Sequence, residues 1–149
     1  MSETGAPGAG RALARLHDHS VAKHRVFADP RGALVPIEVA TAIPYAVARL
    51  FWVADVPAGQ QRGAHAHHTC SQYLICVSGL VLIEVQDGTD QRVFDLRPGE
   101  ALLVPPLIWA TERYMTVDAV LLVLCDKPYA AEDYIHSIAE FGAVRAGSR

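Results

Sequence analysis

The sequence predicts an all-β sandwich or barrel, and three observations carry that reading. Short β-prone runs recur at regular spacing with Gly/Pro turns between them. Asp87-Gly88 sits between two such runs as a tight hairpin signal. Ala119–Cys125 is almost continuously apolar, the pattern of a strand buried on both faces.

The elements follow in order. Residues 1–20 are rich in Gly, Ala and Pro at their start and predict a mobile segment. A strand is expected from Val21, then a turn at Asp29-Pro30-Arg31-Gly32 and a second strand over Ala33–Val39. Ile43-Pro44-Tyr45 reads as a connection, Ala48–Val53 as a third strand, and Pro57-Ala58-Gly59 as its end. His65–His67, Ser71–Val77 and Leu80–Gln86 follow, with the last pairing Arg92–Phe94 across the hairpin. Pro98-Gly99 turns the chain into Ala101–Val104. After the apolar strand, Asp133–Phe141 reads as a short helix, leaving one domain over residues 21–141 and a tail over 142–149.

The chain has 149 residues, 51% of them hydrophobic, which suits one folded domain with its own core. A net charge of −3 argues against a nucleic-acid surface, and an anionic ligand would need local arginines. No apolar run reaches membrane-spanning length and no secretory leader is visible. Cys70, Cys76 and Cys125 fit no metal spacing, and an odd number of thiols suggests reduced cysteines in the cytoplasm.

The chemistry concentrates between Gly59 and Gly79. His65 and His67 are one residue apart in a β-prone segment, so alternation puts both rings on one face. His68 points the other way. Gln72 occupies the next polar position and Gly79 permits a turn. This spacing resembles the first cupin motif: glycine, five residues, His-x-His, three or four residues, an acid, six residues, glycine. The acid position holds Gln72. The second cupin motif is matched at Gly99 and Pro105, but Leu107 replaces its glycine and Ala110 its histidine. Two of four metal-ligand positions therefore lack a ligand, and two imidazoles with an amide are a poor set for zinc or iron. The expectation is a metal-free site whose histidines serve proton transfer, with no cofactor.

A narrower resemblance rests on Asp29-Pro30-Arg31-Gly32-Ala33-Leu34, Ile43-Pro44-Tyr45, Arg62-Gly63-Ala64-His65-Ala66-His67 with Gln72, Pro105-Pro106-Leu107-Ile108-Trp109, and Tyr129 with Glu132-Asp133-Tyr134-Ile135. Together these resemble the WxcM-like sugar 3,4-ketoisomerases. The resemblance implies a cupin jelly roll and a homodimer, often with exchanged N-terminal strands. It implies a dTDP-linked 4-keto-6-deoxy sugar as substrate, whose ketone moves from C4 to C3 through an enediol. Where family members carry tyrosines, this chain has Phe51 and Trp52.

His65 and His67 are the expected catalytic pair, since imidazole titrates near neutrality. His67 is favoured as the carbon base. Arg62 and Arg49 are candidates for the pyrophosphate or the enediolate, Gln72 for a hydroxyl, and Trp109 for the sugar pocket. Other readings stay open. The histidines are relics of a metal site, Trp109 and Phe51 are core residues, or the protein is a non-catalytic or epimerase-like cupin that binds a nucleotide sugar.

Overall fold

Two five-stranded antiparallel sheets face each other, and most of the expected strands find a place in them. The structure is a computed structural model and describes residues 13–148. The first sheet has the order β1 (Ala22–Lys23), β9 (Glu100–Val104), β6 (Gln72–Ser78), β11 (Val120–Cys125), β4 (Arg49–Val53). The second runs β12 (Tyr134–Ile135), β5 (Gln61–His67), β10 (Trp109–Tyr114), β7 (Val81–Gln86), β8 (Gln91–Leu96). A separate hairpin joins β2 (Phe27–Asp29) to β3 (Gly32–Leu34). Two stacked sheets joined by crossovers form the jelly roll that the motif spacing implies.

The core lies between the inward faces. Leu74, Cys76, Val81, Ile83, Val85, Leu102, Leu121 and Val123 are buried there, each at an alternate strand position. The outer face of the first sheet is covered by residues 37–47, where Ile43 is buried against Tyr73 and Leu124. Tyr45 Oη pins this cover by donating to the Leu124 carbonyl at 2.6 Å. Helix α2 (Ile138–Gly147) covers the outer face of the second sheet, with Phe141 buried against Ala66 and Ile135. Ser137 caps α2 by accepting from the Glu140 N–H. Arg145 locks it down by donating to the carbonyls of Leu107 and Ala14.

Several expectations are corrected. Of the segment expected to be mobile, residues 1–12 lie outside the described residues. Residues 13–20 are ordered, because Leu16 is buried and its N–H donates to Asp87 Oδ2. The strand expected through Val39 ends at Leu34, and residues Val39–Ala42 form a single helical turn, α1. The terminal helix begins at Ile138, because Asp133 closes a 3-10 turn and Tyr134–Ile135 pair with β5 first. The strand β10 was not anticipated, yet it is the central strand that joins β5 to β7.

Candidate active site

One end of the space between the sheets stays open as a cavity of about 290 Å³. That is near the lower end of ligand cavities, roughly 300–1,000 Å³, with room for a sugar ring rather than a whole nucleotide sugar. Phe51, Leu121 and Val123 make its apolar wall from β4 and β11, while Arg62, His65, Gln72, Glu112, Tyr114 and Tyr134 bring polar groups. Of the neighbouring pair Phe51 and Trp52, alternation sends Phe51 inward and leaves Trp52 68% exposed.

A bulge in β5 assembles the polar wall. In the β5–β10 pairing Ala110 faces His65 and Thr111 faces Gly63, so Ala64 is an extra residue. Gly63 and Ala64 both have left-handed backbone, with φ of 80° and 57°. Arg62 and His65 are three positions apart, and plain alternation would put them on opposite faces. The extra residue restores Arg62 to the inward face, directly across from Glu112. Glycine suits position 63, because its φ of 80° strains any other residue and a Cβ there would lie 2.8 Å from Glu112 Oε2 and 3.1 Å from the Ala110 carbonyl oxygen.

His65 and His67 lie on one face as expected, with ring centroids 5.0 Å apart. His65 lines the cavity, and His67 beside it is 5% exposed. The Tyr134 ring stands over both, 4.4 Å from His67 and 5.0 Å from His65. His67 Nδ1 is 3.3 Å from Asp133 Oδ2, but the contact is not aligned as a hydrogen bond, so neither ring nitrogen has a hydrogen-bond partner.

Both imidazoles are neutral at physiological pH. Burial is the main cause for His67, reinforced by His65 and Arg49 and opposed by Asp133, and it brings the ring down to about 4. Burial also holds His65 below its usual range. Burial works against ionisation of Asp133 too, but hydrogen bonds from Thr69 and the Cys70 N–H outweigh it and keep the carboxylate charged. The result is a neutral base backed by a fixed negative charge, an arrangement that stabilises an imidazolium formed in passing.

The other expected residues divide. Gln72 lines the cavity, with Nε2 3.9 Å from Cys125 Sγ. Arg49 sits at the same end, its guanidinium 5.4 Å from the Phe51 ring and 5.6 Å from the Tyr129 ring, and its Nη2 donates to Cys125 Sγ at 3.5 Å. Trp109 does not line the cavity. On β10 the inward positions are Ala110, Glu112 and Tyr114, so Trp109 faces outward and packs on Phe141 at 5.7 Å. Glu112, Tyr114, Asp133 and Tyr134 were not anticipated as site residues. Asp133 and Tyr134 stand within the motifs that carried the resemblance, but only the β12–β5 pairing brings them beside the histidines.

The donor set does not suit a cupin metal. Ala110 offers no ligand, and the Gln72 amide is turned toward sulfur. Among the described residues His67, Cys70 and Asp133 bring possible ligand atoms within 4.8 Å of one another. Asp133 is committed to Thr69 and Cys70, however, and burial pushes the Cys70 thiol up to about 12, far from the thiolate a metal needs.

The sequence matches the family described as FdtA, WxcM-like, C-terminal, over residues 17–146. A TDP-4-oxo-6-deoxy-alpha-D-glucose-3,4-oxoisomerase from Aneurinibacillus thermoaerophilus is 30% identical over 125 residues, covering 83% of this chain and 90% of that relative. A solved 3,4-ketoisomerase, QdtA from Thermoanaerobacterium thermosaccharolyticum, is 29% identical with a TM-score of 0.81, covering 89% and 97% of the two chains. That structure is of a histidine-to-asparagine variant in complex with TDP-4-keto-6-deoxyglucose. A 3,4-ketoisomerase from Helicobacter canadensis is 30% identical with a TM-score of 0.79, over 87% and 98%. The family match spans the jelly roll and every residue of the cavity wall, and the chain belongs to the FdtA family of WxcM-like C-terminal domains.

Proposed function

We propose that this protein is a sugar 3,4-ketoisomerase that converts TDP-4-keto-6-deoxyglucose to its 3-keto isomer through an enediol. The observation that carries the reading is the pair of neutral, same-face imidazoles beside the cavity, with Asp133 behind one of them. In this reading the sugar enters the cavity and His67 removes the C3 proton as the base. The imidazolium is held by Asp133 and returns the proton at C4. His65, on the cavity wall, hydrogen-bonds the sugar oxygens. Arg62 and Arg49 offset the charge of the enediolate and the pyrophosphate, and Gln72 orients a hydroxyl. The chemistry needs no redox step and runs on this chain's own residues.

A homodimer belongs to the same proposal. On the outer face of the first sheet Leu50 is 55%, Trp52 68% and Val77 52% exposed, next to the open edge strand β4. The β2–β3 hairpin also stands apart from both sheets with Phe27 and Leu34 exposed. Such surfaces are covered by a second chain, and exchange of the N-terminal strands would do so. The three thiols are free and buried, in keeping with a cytoplasmic location, and no described helix is long and apolar enough to cross a membrane.

The test is direct. Purified protein is given TDP-4-keto-6-deoxyglucose, and the 3-keto product is trapped by a 3-aminotransferase. Absence of the trapped aminosugar, with the aminotransferase shown to be active, would rule the reading out.

A further inference from the structure

A 3,4-keto shift moves two protons. One passes from C3 to C4, and the other passes from the hydroxyl on C3 to the oxygen on C4. The second transfer needs a group that donates when the first carbon proton leaves and accepts when the second arrives. The two imidazoles are neutral, so neither brings an acidic proton of its own at physiological pH. Tyr134 lies beside the Arg49 guanidinium with its ring packed on the two imidazoles, and burial keeps the Tyr114 hydroxyl protonated, too weak an acid to give its proton up.

Among the described residues Glu112 is the one carboxyl in the cavity wall. It stands on the inward face of β10, between Ala110 and Tyr114, and is 9% exposed. Its Oε2 lies over Gly63, at the bulge that separates Arg62 from His65. No described residue donates a hydrogen bond to it, and no described cation lies within ion-pair distance. Burying a carboxyl without a partner is costly, and a chain seeking only stability would place an apolar residue there. Burial pushes the group up to about 7, against the pull of Arg62. The titratable groups around it are Arg62 and His65 from β5, Tyr114 from β10, Tyr134 from β12 and Cys76 from β6, with Arg49 of β4 beside Tyr134; β7 and β11 present Ile83, Leu121 and Val123.

We propose that Glu112 is a catalytic residue of the keto shift, the acid–base group that carries the hydroxyl proton from the C3 oxygen to the C4 oxygen. This rests on the ketoisomerase reading. As His67 takes the C3 proton, electrons move to form the C3–C4 double bond and the C4 oxygen accepts the Glu112 carboxyl proton. The enediol then collapses in the other direction. The Glu112 carboxylate takes the proton from the C3 hydroxyl, the C3 carbonyl forms, and His67 delivers its proton to C4. Both groups return to their starting states and no other reactant is consumed.

The experiment compares wild-type protein with Glu112→Gln, which keeps the shape and removes the proton. Wild-type protein that fails to isomerise the sugar would overturn the ketoisomerase reading itself. Given wild-type turnover, Glu112→Gln should lose about 10²–10⁴-fold in kcat while binding TDP as tightly. The wild-type rate should also fall as pH rises through about 7, because the acid form is the donor, and the residual rate of Glu112→Gln should lack that fall. A variant that turns over near the wild-type rate, or that keeps the same decline at high pH, overturns the assignment. If Glu112→Gln does not fold, Glu112→Met fills the same volume without polar atoms and carries the same test.

Discussion

Arg62 and Glu112 stand directly opposite each other across the β5–β10 pair, although Arg62 shares a face with His65 only because Ala64 is bulged out of register. The two glycine-like conformations at Gly63 and Ala64 thus decide which charges meet in the cavity. A protein built from the same side chains without the bulge would turn Arg62 to solvent.

Gly63→Ala should therefore cost more activity than stability. The left-handed backbone alone costs about 1 kcal/mol for a non-glycine residue, and the new Cβ presses on Glu112 Oε2 at 2.8 Å. Either the bulge or the carboxyl must move, and both line the site. Urea denaturation and kcat measured on one preparation check this; a variant with lowered stability but wild-type kcat would show that the bulge does not position the site.

The histidines should differ in kind. His67→Asn should bind TDP and lose about 10²–10⁴-fold in turnover, as removal of a general base does. His65→Asn should lose less, since it meets oxygens rather than carbon. Asp133→Asn should fall between wild type and His67→Asn, because it withdraws the charge behind the imidazolium. In deuterated water the product should gain deuterium at C4. Near wild-type turnover in both histidine variants would mean that another residue moves the carbon proton.

Trp109→Ala should lower stability and leave kcat/KM unchanged, because Trp109 packs on Phe141 beneath α2 and not in the cavity. The expected loss is about 2–3 kcal/mol, below the range for a fully buried aromatic, since Trp109 is half-buried. A raised KM with unchanged melting temperature would return Trp109 to the sugar pocket.

What the sequence disclosed and what it hid follow from the range of the interactions. Glycine and proline turns and the alternation at His65 and His67 are local, and they made most strand positions and the same-face histidines legible. The strand β10 was missed because its inward positions are Ala110, Glu112 and Tyr114, so its hydropathy does not alternate. The feature that hid the strand is the buried carboxyl that now dominates the cavity. Arg62 could not be placed by alternation, since the bulge shows only as two positive φ angles. Asp133 and Tyr134 reach the histidines through the β12–β5 pairing, which no local periodicity announces. Leu16 packs in the core despite the Gly- and Ala-rich start of the chain, because one apolar side chain and one hydrogen bond to Asp87 suffice.

Two buried groups act in opposite directions on stability as pH changes. His67 has a folded pKa of about 4, below the 6.5 of an unperturbed histidine. The unfolded chain therefore binds this proton more readily, and its contribution to stability is lost as pH falls from about 6.5 to about 4. Glu112 has a folded pKa of about 7, above the ordinary 4.5. The folded chain holds that proton longer, so its contribution is full below 4.5 and is lost as pH rises toward 7. Each window spans roughly 2.5 pH units, or about 3 kcal/mol. Between about 4.5 and 6.5 the two slopes oppose each other, and wild-type stability should be nearly flat. Removing one group exposes the other. His67→Asn should become less stable as pH rises through this window, and Glu112→Gln should become less stable as pH falls through it. Urea denaturation at a series of pH values measures both slopes, and variants whose slopes match that of the wild type would show that neither group is buried in the state assigned to it.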